Sequence, residues 1–88
     1  MWYLYIAKCI DGSLYTGITT DLTRREIEHN TDNHRGAKSL RHKRPIKIVF
    51  TETYMTQSEA RLREIEIKSW RRVYKLKLIS GFTQKIMK

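Results

Sequence analysis

The sequence has little cysteine, proline or glycine. Cysteine occurs once, as Cys9, and proline once, as Pro45, among 88 residues. A single thiol excludes an internal disulfide framework and a zinc site built from several cysteines. No stretch approaches the roughly 18 consecutive apolar residues that a membrane-spanning helix needs, and no charged leader followed by an apolar run opens the chain. We therefore expect one small, soluble, cytoplasmic domain.

Acidic residues are also scarce: 18 Lys and Arg outnumber 9 Asp and Glu, which gives a net charge of +9. Two tracts, residues 35–47 and 68–88, contain no acid at all. Clustered positive charge is typical of a surface that binds phosphates, although a solvated basic face has the same composition. The candidate nucleic-acid contacts in the first tract are Arg35, Lys38, Arg41, Lys43 and Arg44.

Alternating branched and aromatic residues predict three β-strands. The first runs over residues 2–9, the second over 14–18 and the third from 46 to about 54. Because side chains alternate between the faces of a strand, Leu4 and Ile6 share one face and Tyr5 and Ala7 the other.

Asp11-Gly12 predicts a tight hairpin between the first two strands. A two-residue loop would place Tyr5 and Tyr15 on opposite faces of the sheet. A three-residue loop, with Gly12 left-handed, would place both tyrosines on one face. Local sequence does not choose between the two loops.

Helices are predicted from capping signals. Thr20 or Asp21 can cap a helix that runs to about residue 30, and Leu22, Arg25 and His29 fall on one stripe of it. The segment 31–44 has many charges and no apolar periodicity, so we interpret it as a loop.

A capping box at Thr56 and Glu59 begins the next helix, which should reach about residue 70. Its apolar residues lie on two sides, and a helix of this kind is usually packed between other elements. We expect a third helix, over about 71–79 and ended by Gly81, to cover the side that carries Leu62 and Ile65. The sum is an α+β domain over residues 1–80, with a three-stranded antiparallel sheet flanked by helices and a C-terminal tail over 81–88.

Few residues offer chemistry. A glycine-rich phosphate loop is absent, and the histidines lack the spacing of a zinc site. One set remains: Tyr5, Tyr15, Arg25, His29 and Glu64. Taken singly, each has a structural interpretation, as a packed ring, an ion pair or an exposed helix residue. Together they suit phosphodiester cleavage, because a carboxylate facing the core needs a partner or a metal ion, and Arg stabilises phosphoryl charge.

The same residues, in the order Tyr3-Leu4-Tyr5, Tyr15-Thr16-Gly17, Arg25, His29 and Glu64, resemble the GIY-YIG nuclease family, in its small single-domain bacterial branch. The resemblance spans residues 2–79. It departs from the family pattern at Tyr3, Thr16 and Ile18, where relatives often have Gly, Ile and Lys.

This resemblance implies hydrolysis of DNA phosphodiester bonds with Mg²⁺ or Mn²⁺ as cofactor. It assigns catalytic roles to Tyr5, Tyr15, Arg25 and His29, metal binding to Glu64, and a structural role to the motif glycine, which is Gly17. It leaves open which tyrosine is the base. It also favours the three-residue hairpin loop, because the family places both tyrosines in one site.

Two functions follow as hypotheses. The first is a metal-dependent DNA endonuclease for DNA repair or processing, with branched or single-stranded DNA as candidate substrates. Its target choice would come from DNA shape, a protein partner or a homo-oligomer. The second is a basic module that binds nucleic acid without cleaving it. Neither the DNA or RNA preference nor the oligomeric state can be read from the sequence.

Overall fold

A computed structural model describes the backbone of residues 1–87 and the side chains of residues 1–81. It confirms an α+β domain with a three-stranded antiparallel sheet. In chain order the elements are β1 (Trp2–Lys8), β2 (Leu14–Thr19), α1 (Leu22–Thr31), a single 3₁₀ turn (Lys38–Leu40), β3 (Lys47–Tyr54), α2 (Gln57–Lys68) and α3 (Arg72–Met87).

The sheet has the strand order β2-β1-β3, so β1 is central and is buried on both faces. One face carries a cluster that includes Tyr5, Ala7 and Leu40, and the other carries Leu4, Ile6, Phe50 and Ile67. This division confirms the alternation predicted for the first strand. Helix α2 packs on the Leu4 face, where Ile67 is completely buried.

The hairpin between β1 and β2 has the three-residue loop. The Cys9 N–H donates to the Ser13 carbonyl, and the Gly12 N–H donates to the Cys9 carbonyl, each at 2.9 Å. Gly12 has φ +85°, a left-handed conformation that other residues adopt only with strain. Tyr5 consequently lies opposite Gly17, and Ala7 lies opposite Tyr15.

Both predicted helix caps are present. The Asp21 carboxylate accepts from the Arg24 N–H at 3.0 Å, and the Thr56 hydroxyl oxygen accepts from the Glu59 N–H at 3.3 Å. The Glu59 side chain also reaches back toward the cap, but to the Thr56 hydroxyl, which donates to its Oε1 at 2.9 Å. The first turns of α1 and α2 therefore begin where their sequences predict.

The prediction for α3 was wrong in two respects. Leu62 and Ile65 remain 69% and 60% exposed, because α3 packs along β3 and does not fold back over α2. The start of α3 is held near the hairpin, where Arg72 donates to the Gly12 carbonyl at 2.7 Å. Gly81 does not end the helix, which continues to Met87.

The predicted tail, residues 81–88, lies largely outside the described side chains, and the division of the chain at residue 80 stays a prediction. Within the described part of the chain, no helix combines the length and hydropathy needed to cross a bilayer.

Candidate active site

The two tyrosines lie together on one face of the sheet. Tyr5 is buried on β1 and Tyr15 is half-buried on β2, and their ring centroids are 6.3 Å apart. The three-residue hairpin loop produces this arrangement, because it sets the register that brings both residues to the same face.

Gly17 provides the space that the Tyr5 ring occupies. A Cβ at position 17 would lie 2.6 Å from the Tyr5 hydroxyl oxygen and 2.7 Å from its Cζ. Real side chains do not approach so closely, so the ring of Tyr5 can cross β2 only where the opposite residue has no side chain. The motif glycine is therefore required by packing.

His29 is completely buried beside both rings. Its Nδ1 accepts a hydrogen bond from the Ala37 N–H at 3.0 Å, and its Nε2 lies 2.7 Å from the Tyr5 hydroxyl oxygen. A neutral imidazole carries one proton. Since Nδ1 is an acceptor, the proton belongs on Nε2, and the Nε2–H donates to Tyr5.

The pKa values of this pair agree with that assignment. Burial, together with the charges of Arg25 and Arg44, lowers the pKa of His29 to about 4. Burial and, to a smaller extent, the neighbouring Tyr15 raise the pKa of Tyr5 to about 12. At neutral pH the imidazole is therefore uncharged and the Tyr5 hydroxyl keeps its proton.

Arg25 reaches the site from α1. Its Nη1 donates to the Glu28 carboxylate at 3.1 Å and to the Arg35 carbonyl at 2.6 Å. Its positive charge acts on both buried partners, because it lowers the pKa of Tyr5 and that of His29. The guanidinium is half-buried, so it can meet an anion while its orientation is held by the protein.

Glu64 lies on α2 in the same stripe as Ala60 and Ile67, and all three are buried. This helix covers the Leu4 face, whereas both tyrosines lie on the other face of the sheet, and the charge of Glu64 is the smallest of the causes that act on the pKa of Tyr5. The place of Glu64 in the site stays a prediction. The described residues contain no group of three or more His, Cys, Asp and Glu placed to hold a metal. One buried carboxylate still fits Mg²⁺, which retains water ligands and takes oxygen ligands from substrate phosphate.

The five predicted phosphate contacts of the loop differ in their surroundings. Arg35 and Lys38 are exposed. Arg41 donates to the Asn33 carbonyl, and the Lys43 Nζ lies 4.0 Å from an Asp11 carboxylate oxygen. Arg44 is half-buried.

The Arg44 guanidinium is used within the protein. Its Nε donates to the His29 carbonyl at 2.6 Å, and its two Nη groups donate to the Asn33 side chain at 3.0 Å and the Asp32 carbonyl at 3.3 Å. These contacts satisfy carbonyls at the C-terminal end of α1. A nucleic-acid contact by Arg44 stays a prediction, and the geometry gives this residue a structural role.

Two residues that hold the site in place were not identified from the sequence. A Cβ on Gly36 would lie 2.5 Å from the Glu28 carbonyl oxygen, so the loop can pass close to α1 only with glycine there. Asn30 pairs with both backbone groups of Ile46, at 2.7 and 3.0 Å. The sequence offered two signals, a lone glycine in a charged loop and an Asn at a helix end. Neither signal indicates which residue it contacts.

Comparison with known proteins agrees with the family resemblance that the site residues carry. Residues 1–77 match the family described as GIY-YIG catalytic domain. The UPF0213 protein of Staphylococcus epidermidis is 52% identical over 77 residues, which is 88% of this chain and 92% of that protein. The UPF0213 protein of Staphylococcus saprophyticus is 53% identical over 78 residues, or 89% of this chain and 93% of the relative.

A solved structure is also similar. The solution NMR structure of the UPF0213 protein BH0048 from Bacillus halodurans has a TM-score of 0.57 and 41% identity, and the match covers 91% of this chain and 84% of that one. An α+β domain that carries two tyrosines on one sheet face, an arginine on the first helix and a buried carboxylate on the second defines a class of nuclease-like proteins. The chain belongs to the GIY-YIG nuclease family, among its UPF0213 members.

Proposed function

We propose that this protein is a DNA endonuclease that hydrolyses phosphodiester bonds with Mg²⁺ or Mn²⁺. The observation that carries the proposal is the cluster of Tyr5, Tyr15 and His29 with Arg25 beside it. The family resemblance adds the buried carboxylate of Glu64 to this set. A phosphate and a divalent ion would together use the guanidinium, the phenols and the carboxylate.

The proposed roles follow from the surroundings of each residue. Glu64 would hold the metal ion, which when bound polarises the phosphate and stabilises the leaving oxygen. Arg25 would stabilise the negative charge that develops on the phosphoryl oxygens. His29 keeps the Tyr5 hydroxyl in place through its Nε2–H and is a positioning residue.

Tyr15 is the better candidate for the tyrosine that orients the attacking water or takes its proton. Tyr5 is buried, has a pKa raised to about 12, and already accepts a hydrogen bond at its hydroxyl oxygen. Tyr15 is only half-buried and stands at the open side of the pair. Removal of the Tyr15 hydroxyl should therefore reduce the rate more selectively than removal of the Tyr5 hydroxyl, which should also loosen the packing.

DNA is the proposed substrate because a net charge of +9 and the exposed Arg35 and Lys38 favour a polyanion. We propose a role in DNA repair or processing, with branched or single-stranded DNA as the first candidates. Target choice would rest on DNA shape, a protein partner or self-association.

The test is a cleavage assay with branched, single-stranded and duplex DNA, in Mg²⁺ or EDTA. Wild type should nick DNA only with the metal, and Glu64→Gln and Tyr15→Phe should lose the activity. Equal nicking by wild type and Glu64→Gln would reveal contamination and would remove the support for the enzyme.

A second function, nucleic-acid binding without cleavage, has one observation in its favour. Both Glu64 carboxylate oxygens lie at ion-pair distance from a cation, Arg61 or Lys68, so charge compensation does not need a metal. DNA retention without nicking under every metal condition would select this function.

A further inference from the structure

Two exposed cations flank the buried carboxylate of the site. Arg61 lies one turn before Glu64 on α2 and Lys68 one turn after it. The Arg61 Nη1 is 3.4 Å from Oε1 and the Lys68 Nζ is 3.3 Å from Oε2. The two basic side chains are 54% and 52% exposed, whereas the Glu64 side chain is 10% exposed. The carboxylate is thus largely removed from water, and both cations lie on its solvent side.

A metal ion and these two cations can each compensate the negative charge of the Glu64 carboxylate. An ionised carboxylate that is largely removed from water must be paired or must bind a metal. The cations supply this compensation, and their positive charge repels a divalent ion that approaches the same oxygens. Each cation is about half exposed, so water screens its charge, and its long side chain loses rotamer freedom in the pair; both effects weaken the pairs. The pair can therefore be displaced.

We propose that Arg61 and Lys68 exchange partners on substrate binding: they pair with Glu64 when the site holds no metal, and they bind DNA phosphates when a divalent ion occupies the carboxylate. This cation pair adds a phosphate-binding site on α2 to the exposed loop residues Arg35 and Lys38. The inference rests on the proposed function, since it assumes that Glu64 binds the ion.

The exchange lowers the affinity for a divalent ion when DNA is absent and raises the affinity for DNA when the ion is bound. Without DNA, the cation pair weakens divalent-ion binding, because the ion must displace two positive charges. With the ion bound, the same side chains are free and add to the affinity for DNA. Metal and DNA therefore bind cooperatively, and each makes the site more favourable for the other.

The metal arm of the test uses the full chain without DNA. Mn²⁺ is titrated while the paramagnetic broadening of α2 amide signals is followed by NMR. The double variant Arg61→Gln/Lys68→Gln should bind Mn²⁺ about tenfold more tightly than wild type, since each lost ion pair accounts for a few-fold. The matched control Lys47→Gln/Lys77→Gln removes the same charge from two exposed lysines elsewhere and should leave the Mn²⁺ affinity unchanged.

The DNA arm measures the anisotropy of a labelled branched DNA at several salt concentrations, with Ca²⁺ or with EDTA. Addition of Ca²⁺ should steepen the salt dependence of wild type, by up to about two units of slope for two freed cations. The double variant should show no such steepening. The lysine control should keep the steepening whatever its starting affinity.

The outcomes separate this inference from the proposed function. Equal Mn²⁺ affinity in wild type and the Arg61/Lys68 variant, with broadening that Glu64→Gln abolishes, would overturn the exchange and leave the metal site intact. Broadening that is insensitive to Glu64→Gln would remove the metal site itself, and the exchange with it. Tighter Mn²⁺ binding together with an ion-independent salt slope in the double variant supports the exchange.

Discussion

At the scale of single residues, His29 illustrates how hydrogen-bond partners decide a chemical role. Both ring nitrogens are used, one by a backbone donor and one by a phenol oxygen, and the pKa lies near 4. A histidine in a candidate active site is commonly interpreted as a general acid or base. Here the buried, neutral ring acts as a fixed donor, and its sequence position alone could not have distinguished the two roles.

The lowered pKa of His29 predicts how stability changes with pH. The unfolded chain takes up this proton near pH 6.5, while the folded chain does so only near pH 4. The contribution is therefore complete above about pH 6.5 and is lost as the pH falls toward 4. Between pH 7.5 and 5 we expect a loss of about 2 kcal/mol in the free energy of unfolding.

Urea denaturation at a series of pH values measures this loss. His29→Gln cannot titrate and should show a flatter pH dependence over the same interval, even if its stability at pH 7.5 is lower. Parallel profiles for wild type and variant would mean that the imidazole is not held neutral by the fold.

Two glycines should respond differently to the same substitution. Gly17→Ala places a methyl group against the Tyr5 hydroxyl. It should cost about 1–3 kcal/mol in overpacking and reduce nicking by about 100-fold, since the catalytic geometry shifts. Gly12→Ala meets open space but must adopt φ +85°. It should cost about 1–2 kcal/mol without a change in the rate of the folded enzyme. Equal activity losses in both variants would contradict the assigned role of Gly17.

Thr16 offers a change that should stabilise the protein. It is buried opposite Ile6, and among the described residues its hydroxyl has no hydrogen-bond partner. Thr16→Val keeps the shape and removes a buried polar group, so the free energy of unfolding should rise by about 1 kcal/mol. A fall in stability, measured by urea denaturation, would show that the hydroxyl binds a buried water.

At the scale of elements, local signals predicted most of the fold. Strand alternation separated the two faces of β1, and side-chain oxygens at Asp21 and Thr56 marked the starts of two helices. The hairpin loop was undecided locally, because register depends on which face is buried, and the resemblance to a family favoured the loop that is observed. The path of α3 was mispredicted, since the hydrogen bond from Arg72 to Gly12 joins residues sixty positions apart.

The candidate site residues could be predicted from the sequence only when they were considered together. Nothing in the local pattern around Arg25 indicates that it lies near Tyr5. Arg25 and Glu64 each have an ion-pair partner on their own helix. The supporting contacts were beyond prediction. The Ala37 N–H that fixes the His29 tautomer is a backbone group, and any residue but proline would supply it.

The loop between α1 and β3 predicts a contrast between two arginines. Arg44 donates to carbonyls at the end of α1, and Arg35 is exposed. Arg44→Gln should lower the free energy of unfolding by about 1–3 kcal/mol, because charged hydrogen bonds are lost and carbonyls are left unpaired. Arg35→Gln should leave stability within about 0.5 kcal/mol.

For DNA binding, we expect the larger effect from Arg35→Gln and the smaller effect from Arg44→Gln. Arg35→Gln should reduce the salt slope of binding by about one unit, as expected for one lost phosphate contact, whereas folded Arg44→Gln should keep the wild-type slope. Anisotropy titrations on variants shown to be folded by circular dichroism make the comparison. A reduced slope for Arg44→Gln alone would return this residue to the phosphate-binding surface.

At the scale of the whole molecule, each acid-free tract of the sequence contacts one of the residues proposed to act on phosphate. The first tract contributes the Arg35 carbonyl that holds Arg25, and the second begins with Lys68, which contacts Glu64. Sequence distance concealed this relation, because residues 48–67 separate the tracts. The backbone of one tract and a cation of the other therefore lie beside residues proposed to act on phosphate.

This distribution predicts that DNA stabilises the fold independently of cleavage. A short duplex at tenfold excess over its Kd should raise the free energy of unfolding by about 1.4 kcal/mol, which corresponds to several degrees in Tm for a domain of this size. High salt should abolish the increase, because counterion release drives the binding. Glu64→Gln should keep the full increase while losing nicking. If the variant lost both together, DNA binding would require the carboxylate itself, and the assignment of phosphate binding to the surrounding cations would be wrong.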